Sequence, residues 1–216
     1  ECTLGMIYPF SRGAHIHYMD RPPTASALMP ALAKVRPTVI ASVPLIMEKV
    51  YRGKVLPTFQ KNKLMRTLYG WNWSRKILHK VAGKQLKKLF GGRMRLFAIG
   101  GAKFDTDAER FLLEAGFPYG IGYGLTETAP LIAGAVGKMV RIGSTGPSLP
   151  DVQIRLDNVN PDTGQGEIVV KTPCCMVGYY KNEQATKDAF TEDGWFRTGD
   201  LGAIAEDGWI FIKGRL

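Results

Sequence analysis

The sequence predicts an α/β fold, a mostly parallel sheet flanked by helices and followed by a small, barrel-like antiparallel β-subdomain. Three observations carry this. Up to residue 137, helix-period and strand-period segments alternate, and a parallel sheet needs such crossovers. From residue 138, short strands are separated by Gly, Pro, Asn and Asp, the pattern of a small barrel or curled antiparallel sheet. A hydrophobic content of 45% supports a packed core and argues against disorder. The expected subdomains are therefore 1–137 and 138–216.

Each element follows from local pattern. Residues 24–35 read as a helix after the stiff Arg21-Pro22-Pro23 turn. Residues 38–43 are an apolar run ending at Pro44, a buried strand, and a helix starts over 45–50. Residues 73–90 read as an amphipathic helix. Trp73, Ile77, Leu78, Val81, Leu86 and Leu89 recur at helical spacing, while Arg75, Lys76, Lys80, Lys84, Lys87 and Lys88 fill the other side. Residues 94–99 form a strand closed by Gly100-Gly101. Residues 105–115 form a helix capped by Asp105 and ended by Gly116. The next strand is 117–121, and a Gly-rich turn follows it. Beyond 138, strands are expected at 152–156, 166–171, 203–205 and 209–212, with a helix at 182–190. Asp193-Gly194 and Asp207-Gly208 are turn signals.

The net charge of +10 sits in one place. Residues 51–95 hold 13 Lys or Arg and no Asp or Glu. The rest of the chain holds 16 basic and 19 acidic residues. The basic segment reads as a solvated helix face, or as a surface for anionic lipid headgroups or nucleic acid, with Tyr69, Trp71 and Trp73 interleaved. No nucleic-acid motif accompanies it, so nucleic acid is not the expected partner. No apolar run is long enough to cross a bilayer as a helix. The expected location is cytoplasmic, with peripheral contact at the inner membrane face through 51–95. Cys2, Cys174 and Cys175 do not make a disulfide framework, and the Cys174-Cys175 pair reads as packing. His15, His17 and His79 read as structural. The chain starts at Glu1 and stops at Leu216 directly after a strand, so both ends are expected to be cuts through a larger protein.

The chemistry concentrates in Gly122-Tyr123-Gly124-Leu125-Thr126-Glu127-Thr128. Glycines let backbone approach a ligand, Tyr123 offers a flat face, Thr126 a hydroxyl donor, and Glu127 a ligand for a hard cation. Open α/β sheets place ligands at such strand ends. Three more segments join it. The first is Leu96-Phe97-Ala98-Ile99-Gly100-Gly101-Ala102. The second is Trp195-Phe196-Arg197-Thr198-Gly199-Asp200-Leu201-Gly202, with one carboxylate expected on a tight turn. The third is Ile212-Lys213-Gly214-Arg215, with one guanidinium after a strand. No Ser/His/Asp or Cys/His arrangement is present.

Gly-Tyr-Gly-Leu-Thr-Glu-Thr, Gly-Trp-Phe-Arg-Thr-Gly-Asp and Lys-Gly-Arg, in this order, resemble the adenylate-forming superfamily of acyl-CoA synthetases, luciferases and peptide-synthetase adenylation domains. The resemblance covers essentially the whole chain. Asp20-Arg21-Pro22-Pro23-Thr24, Arg36-Pro37-Thr38-Val39 with Ser42-Val43-Pro44, and Lys88-Leu89-Phe90-Gly91-Gly92-Arg93 look most like bacterial long-chain fatty acyl-CoA synthetases.

The resemblance implies roles. Gly101 and Ala102 would line one side of an adenine and Tyr123 the other. Thr126 would bond the α-phosphate and Glu127 would bind Mg²⁺, the two catalytic positions. Asp200 would accept the ribose hydroxyls and Arg215 would reach the ribose. Gly122 and Gly124 would border the acyl pocket. ATP, Mg²⁺ and coenzyme A follow as cofactor, metal and co-substrate, and a fatty acid as substrate. The reaction would run through acyl-AMP and pyrophosphate to a thioester and AMP. Such chemistry rests on charge neutralisation and positioning. The superfamily's Ser/Thr/Gly-rich phosphate-gripping loop and lysine-bearing C-terminal domain have no counterpart in these residues. The chain is therefore expected to be an internal fragment, inactive alone. Alternatives are an aryl- or amino-acid-adenylating enzyme with a carrier-protein thiol, and a basic membrane- or RNA-binding module.

Overall fold

The computed structural model of the chain describes residues 3–20 and 24–216, and the expected Arg21-Pro22-Pro23 turn lies outside them. The chain forms two compact units, one running to Gly120 and one from Ile121.

The first unit alternates helix and strand as expected. After α1 (Tyr8–Ser11), α2 spans Ala25–Val35, and the Thr24 hydroxyl accepts from Ala27 N–H at its N-terminus. β1 (Val39–Ser42) leads into α3 (Pro44–Val50), with Pro44 tolerated at the first helical position. A π-helical stretch, Tyr51–Val55, joins α3 to α4 (Leu56–Gln60), which α5 (Lys63–Gly70) and α6 (Asn72–Leu89) follow. β2 (Leu96–Ile99) pairs in parallel with β1, from Val39 opposite Leu96 to Ser42 opposite Ile99. α7 (Thr106–Ala115) starts where the Asp105 carboxylate accepts from Asp107 and Ala108 N–H, and ends at Gly116 with φ 64°. Those backbone donors, chiefly that of Ala108, hold Asp105 below the usual carboxylate range.

α6 has nearly the expected bounds, with Leu86 buried and its lysines exposed as expected, but most of its apolar side does not face inward. Its buried positions are Ser74, His79, Gly83 and Leu86, and it packs on α7. Trp73, Ile77, Val81 and Leu89, expected to face the core, are exposed. Two specific contacts outweigh the apolar pattern. A Cβ at Gly83 would stand 2.6 Å from Ala115 Cβ, so only glycine lets the helices approach there. His79 Nδ1 and the Arg75 guanidinium both reach Glu114, each at 2.8 Å.

β3 (Tyr119–Gly124) follows β2 in strand order, and the second unit begins within it. This strand is longer than expected. Gly122-Tyr123-Gly124 is its last part, and the turn comes afterwards, at Thr126–Thr128. The reason is β4 (Leu131–Val136), a strand the sequence reading did not separate from its Ala- and Gly-rich surroundings. A Cβ on Gly124 would collide with the Pro130 carbonyl, so this glycine permits close passage of two backbones.

The rest of the second unit is a four-stranded antiparallel sheet in the order β5-β6-β7-β8: Gln153–Asp157, Gly166–Lys171, Phe196–Ile204 and Ile210–Arg215. α8 (Glu183–Asp188) precedes β7, capped by the Asn182 side chain. Ile168, Val169 and Val170 of β6 are fully buried. The tight turn expected at Thr198-Gly199-Asp200 is instead a bulge inside β7. Glu167 opposes Leu201 and Val169 opposes Arg197, so the register slips between them, and Gly199 takes φ 67°. Pairing on both edges of β7 stretches the strand through this site.

Candidate functional site

The bulge in β7 positions the most buried acid among the expected site residues. Asp200 is 8% exposed. Its backbone N–H donates to the Thr198 hydroxyl at 3.1 Å, and Thr198 donates to the Ile168 carbonyl at 2.7 Å, which fixes the bulge to β6. Tyr123, from β3, donates its hydroxyl to Asp200 Oδ2 at 2.8 Å. Burial, opposed by the Thr198 contact and reinforced by Asp200, pushes the Tyr123 phenol well above its ordinary range. It therefore stays a donor at any physiological pH.

Arg215 stands directly opposite Asp200 in the β7–β8 register. Its Nε lies 3.6 Å from Oδ1, and its side chain is 71% exposed. One carboxylate oxygen is thus firmly occupied by Tyr123, while the other faces a loose, solvent-facing guanidinium. That oxygen keeps lone pairs for vicinal hydroxyls. The Tyr123 ring belongs to a core cluster with Ile132, Ala133, Ile168, Val170, Phe196 and Ile210. That packing makes Tyr123 a rigid support for Asp200.

The turn after β3 presents the second group. Thr128, almost completely buried, accepts from Leu125 N–H and donates toward the Leu125 and Pro130 carbonyls. This clip leaves Thr126 exposed, with no partner for its hydroxyl among the described residues. Glu127 is half-buried. Its carbonyl accepts from Met176 N–H at 2.7 Å, and its Oε1 accepts from the Tyr179 hydroxyl at 3.0 Å. Burial first, and Glu127 second, raise the Tyr179 phenol. Oε2 has no hydrogen-bond partner among the described residues. Those residues hold no cluster of three or more His, Cys, Asp or Glu suited to a metal. A lone carboxylate with one free oxygen fits Mg²⁺, which takes one or two protein carboxylates and completes its shell with phosphate and water.

A Cβ at Gly122 would lie 2.9 Å from Leu131 Cδ2, so a side chain there must displace Leu131. Gly101 and Ala102 belong to the first unit, in the exposed bend after β2, where Gly101 has φ 86°. Within the second unit, the structure brings Tyr123, Asp200 and Arg215 together and sets Thr126 and Glu127 on one turn. Thr198, Thr128 and Tyr179 were not singled out from the sequence. Thr198 had a signal, since a hydroxyl two residues before the acid can bridge a bulge. Tyr179 is 52 residues from Glu127, and no local pattern joins them. The vicinal thiols divide, Cys174 exposed and Cys175 packed against the core cluster. A cavity of about 460 Å³ in the first unit, floored by Tyr69, Arg75 and His79, holds none of the expected site residues.

The family described as AMP-binding enzyme matches residues 1–180. The long-chain-fatty-acid–CoA ligase FadD15 of Mycobacterium bovis is 33% identical over 207 residues, which is 87% of this chain and 33% of that protein. A malonyl-CoA ligase, solved as a ternary product complex with methylmalonyl-CoA and AMP, superposes with a TM-score of 0.70 at 27% identity, over 99% of this chain and 41% of that one. The o-succinylbenzoate CoA synthetase of Bacillus subtilis, solved with AMP, gives 0.69 at 22% identity, over 97% of this chain and 37% of that one, and shares the fold. The chain spans about a third of the length of the curated relatives it matches.

Proposed function

This chain belongs to the AMP-binding enzyme family, and from that premise we propose that it carries the nucleotide-holding part of an AMP-forming acid–thiol ligase. The acid is a long-chain fatty acid and the thiol is coenzyme A, the reading favoured by the relatives' names. The single observation that carries the nucleotide reading is the buried Asp200, fixed by Tyr123 and a β-bulge and faced by Arg215.

In this reading Asp200 accepts the ribose hydroxyls through its less occupied oxygen, and Arg215 closes over the sugar. The free hydroxyl of Thr126 donates to an α-phosphate oxygen. Glu127 holds Mg²⁺ through Oε2 while Tyr179 fixes Oε1. Bound there, Mg²⁺ would supply charge neutralisation as the acid's carboxylate displaces pyrophosphate from the α-phosphorus. Gly122 and Gly124 border the acyl chain. Because the chain spans about a third of its relatives, we expect it to bind AMP without forming acyl-AMP. The test is isothermal titration with AMP, alongside pyrophosphate release with ATP and a panel of acids. Saturable AMP binding without pyrophosphate supports the reading. Pyrophosphate release from these 216 residues would refute the inactivity, and no AMP binding would refute the site.

A further inference from the structure

The outward face of α6 combines apolar side chains with lysines that the sequence pattern had set on the other side of the helix. Trp73, Ile77 and Val81 lie four residues apart and are 63%, 53% and 52% exposed. At 3.6 residues per turn, Lys76, Lys80, Lys84, Lys87 and Lys88 fall on the same side of the helix, and all are exposed. Trp71, just ahead of the helix, is exposed as well, and Leu64 on α5 more so. Among the described residues, none of these five lysines has an ion-pair partner. Arg75, the basic residue on the inward side, is already paired with Glu114. The 51–95 segment contains no acid that could neutralise the face.

We propose that this face of α6 lies on an anionic lipid surface. Trp73, Ile77 and Val81 enter the boundary between headgroups and acyl chains, and the lysines stretch their stems alongside to meet phosphate. Tryptophan favours that depth, where its ring is apolar and its N–H wet. Two other occupants fit less well. A second copy across a two-fold axis would set the same lysines against one another. A polyanion such as RNA would satisfy the lysines but leave the aliphatic pair in water. The proposal is independent of the nucleotide reading.

The test is flotation of the chain with vesicles of phosphatidylcholine alone, and of phosphatidylcholine mixed with phosphatidylglycerol, at low and high salt. The expected result is binding to the mixed vesicles that weakens about tenfold or more as salt shortens the screening length, with little binding to the neutral ones. A triple Trp73→Ser, Ile77→Ser, Val81→Ser variant and a double Lys80→Glu, Lys84→Glu variant each lose that binding. Both keep the parental melting temperature, since every substituted side chain is exposed. Absence of binding to the mixed vesicles overturns the proposal. So does binding that both variants retain, a change of oligomeric state in the triple variant, or RNA binding without vesicle binding.

Discussion

Tyr123 and Asp200 are 77 residues apart in sequence and joined by one buried hydrogen bond. Tyr123→Phe keeps the ring in its core cluster and removes the donor. A hydrogen bond to a charged group contributes about 1.5–3 kcal/mol, so AMP affinity should fall roughly tenfold or more while the fold persists. Calorimetry with AMP and circular dichroism together check this. At the neighbouring turn, Glu127→Gln should abolish the tightening of ATP binding by Mg²⁺. Tyr179→Phe should keep that tightening but shift its Mg²⁺ midpoint by a few-fold, because only the orientation of the carboxylate is lost. An unchanged midpoint would show that Tyr179 does not position Glu127. At this scale the sequence singled out Thr126, Glu127, Asp200 and Arg215 because they stand in short spaced motifs, and the roles proposed for them rest on the tests above. It could not show that Tyr123 holds Asp200, because that bond depends on how distant strands meet.

At the scale of elements, several helix starts were legible where a side chain satisfies a free backbone group, although that of α5, capped by Asn62, was not. Thr24, Asp105 and Asn182 all cap as their residue types suggest. Strand ends were less legible. β3 and β7 run through glycines that read locally as turns, and only pairing with neighbouring strands keeps them extended. α6 shows the same limit for a helix face, since its inward side is chosen by Gly83 and by the His79–Glu114–Arg75 contact. Gly83→Leu should therefore destabilise the first unit by about 1–3 kcal/mol through overpacking against Ala115. Thermal melts should show the loss, and a neutral result would contradict the close helix approach. His79 carries a pH signature. Burial lowers its pKa, and the opposing attraction of Glu114 does not restore it. The folded state thus resists protonation. Its stability should be complete above the ordinary histidine pKa of about 6.5 and decline as pH falls below it. A His79→Gln variant should flatten that decline in melts taken between about pH 7 and pH 5.

For the whole molecule, the two compact units divide the expected site residues. Gly101 and Ala102 stand in the first, and Tyr123, Thr126, Glu127, Asp200 and Arg215 in the second. Strand–helix alternation and short Gly-punctuated strands were enough to anticipate a parallel-rich sheet followed by a small antiparallel one. The central claim is that the second unit's buried carboxylate holds the ribose of a bound nucleotide. Titration of AMP into the protein and its Asp200→Ala variant tests it most directly. Losing a charged hydrogen bond of about 1.5–3 kcal/mol should weaken binding roughly ten- to hundred-fold, with 2′-deoxyadenosine monophosphate losing affinity on the parent but little more on the variant. Equal AMP affinity for parent and variant would contradict the account.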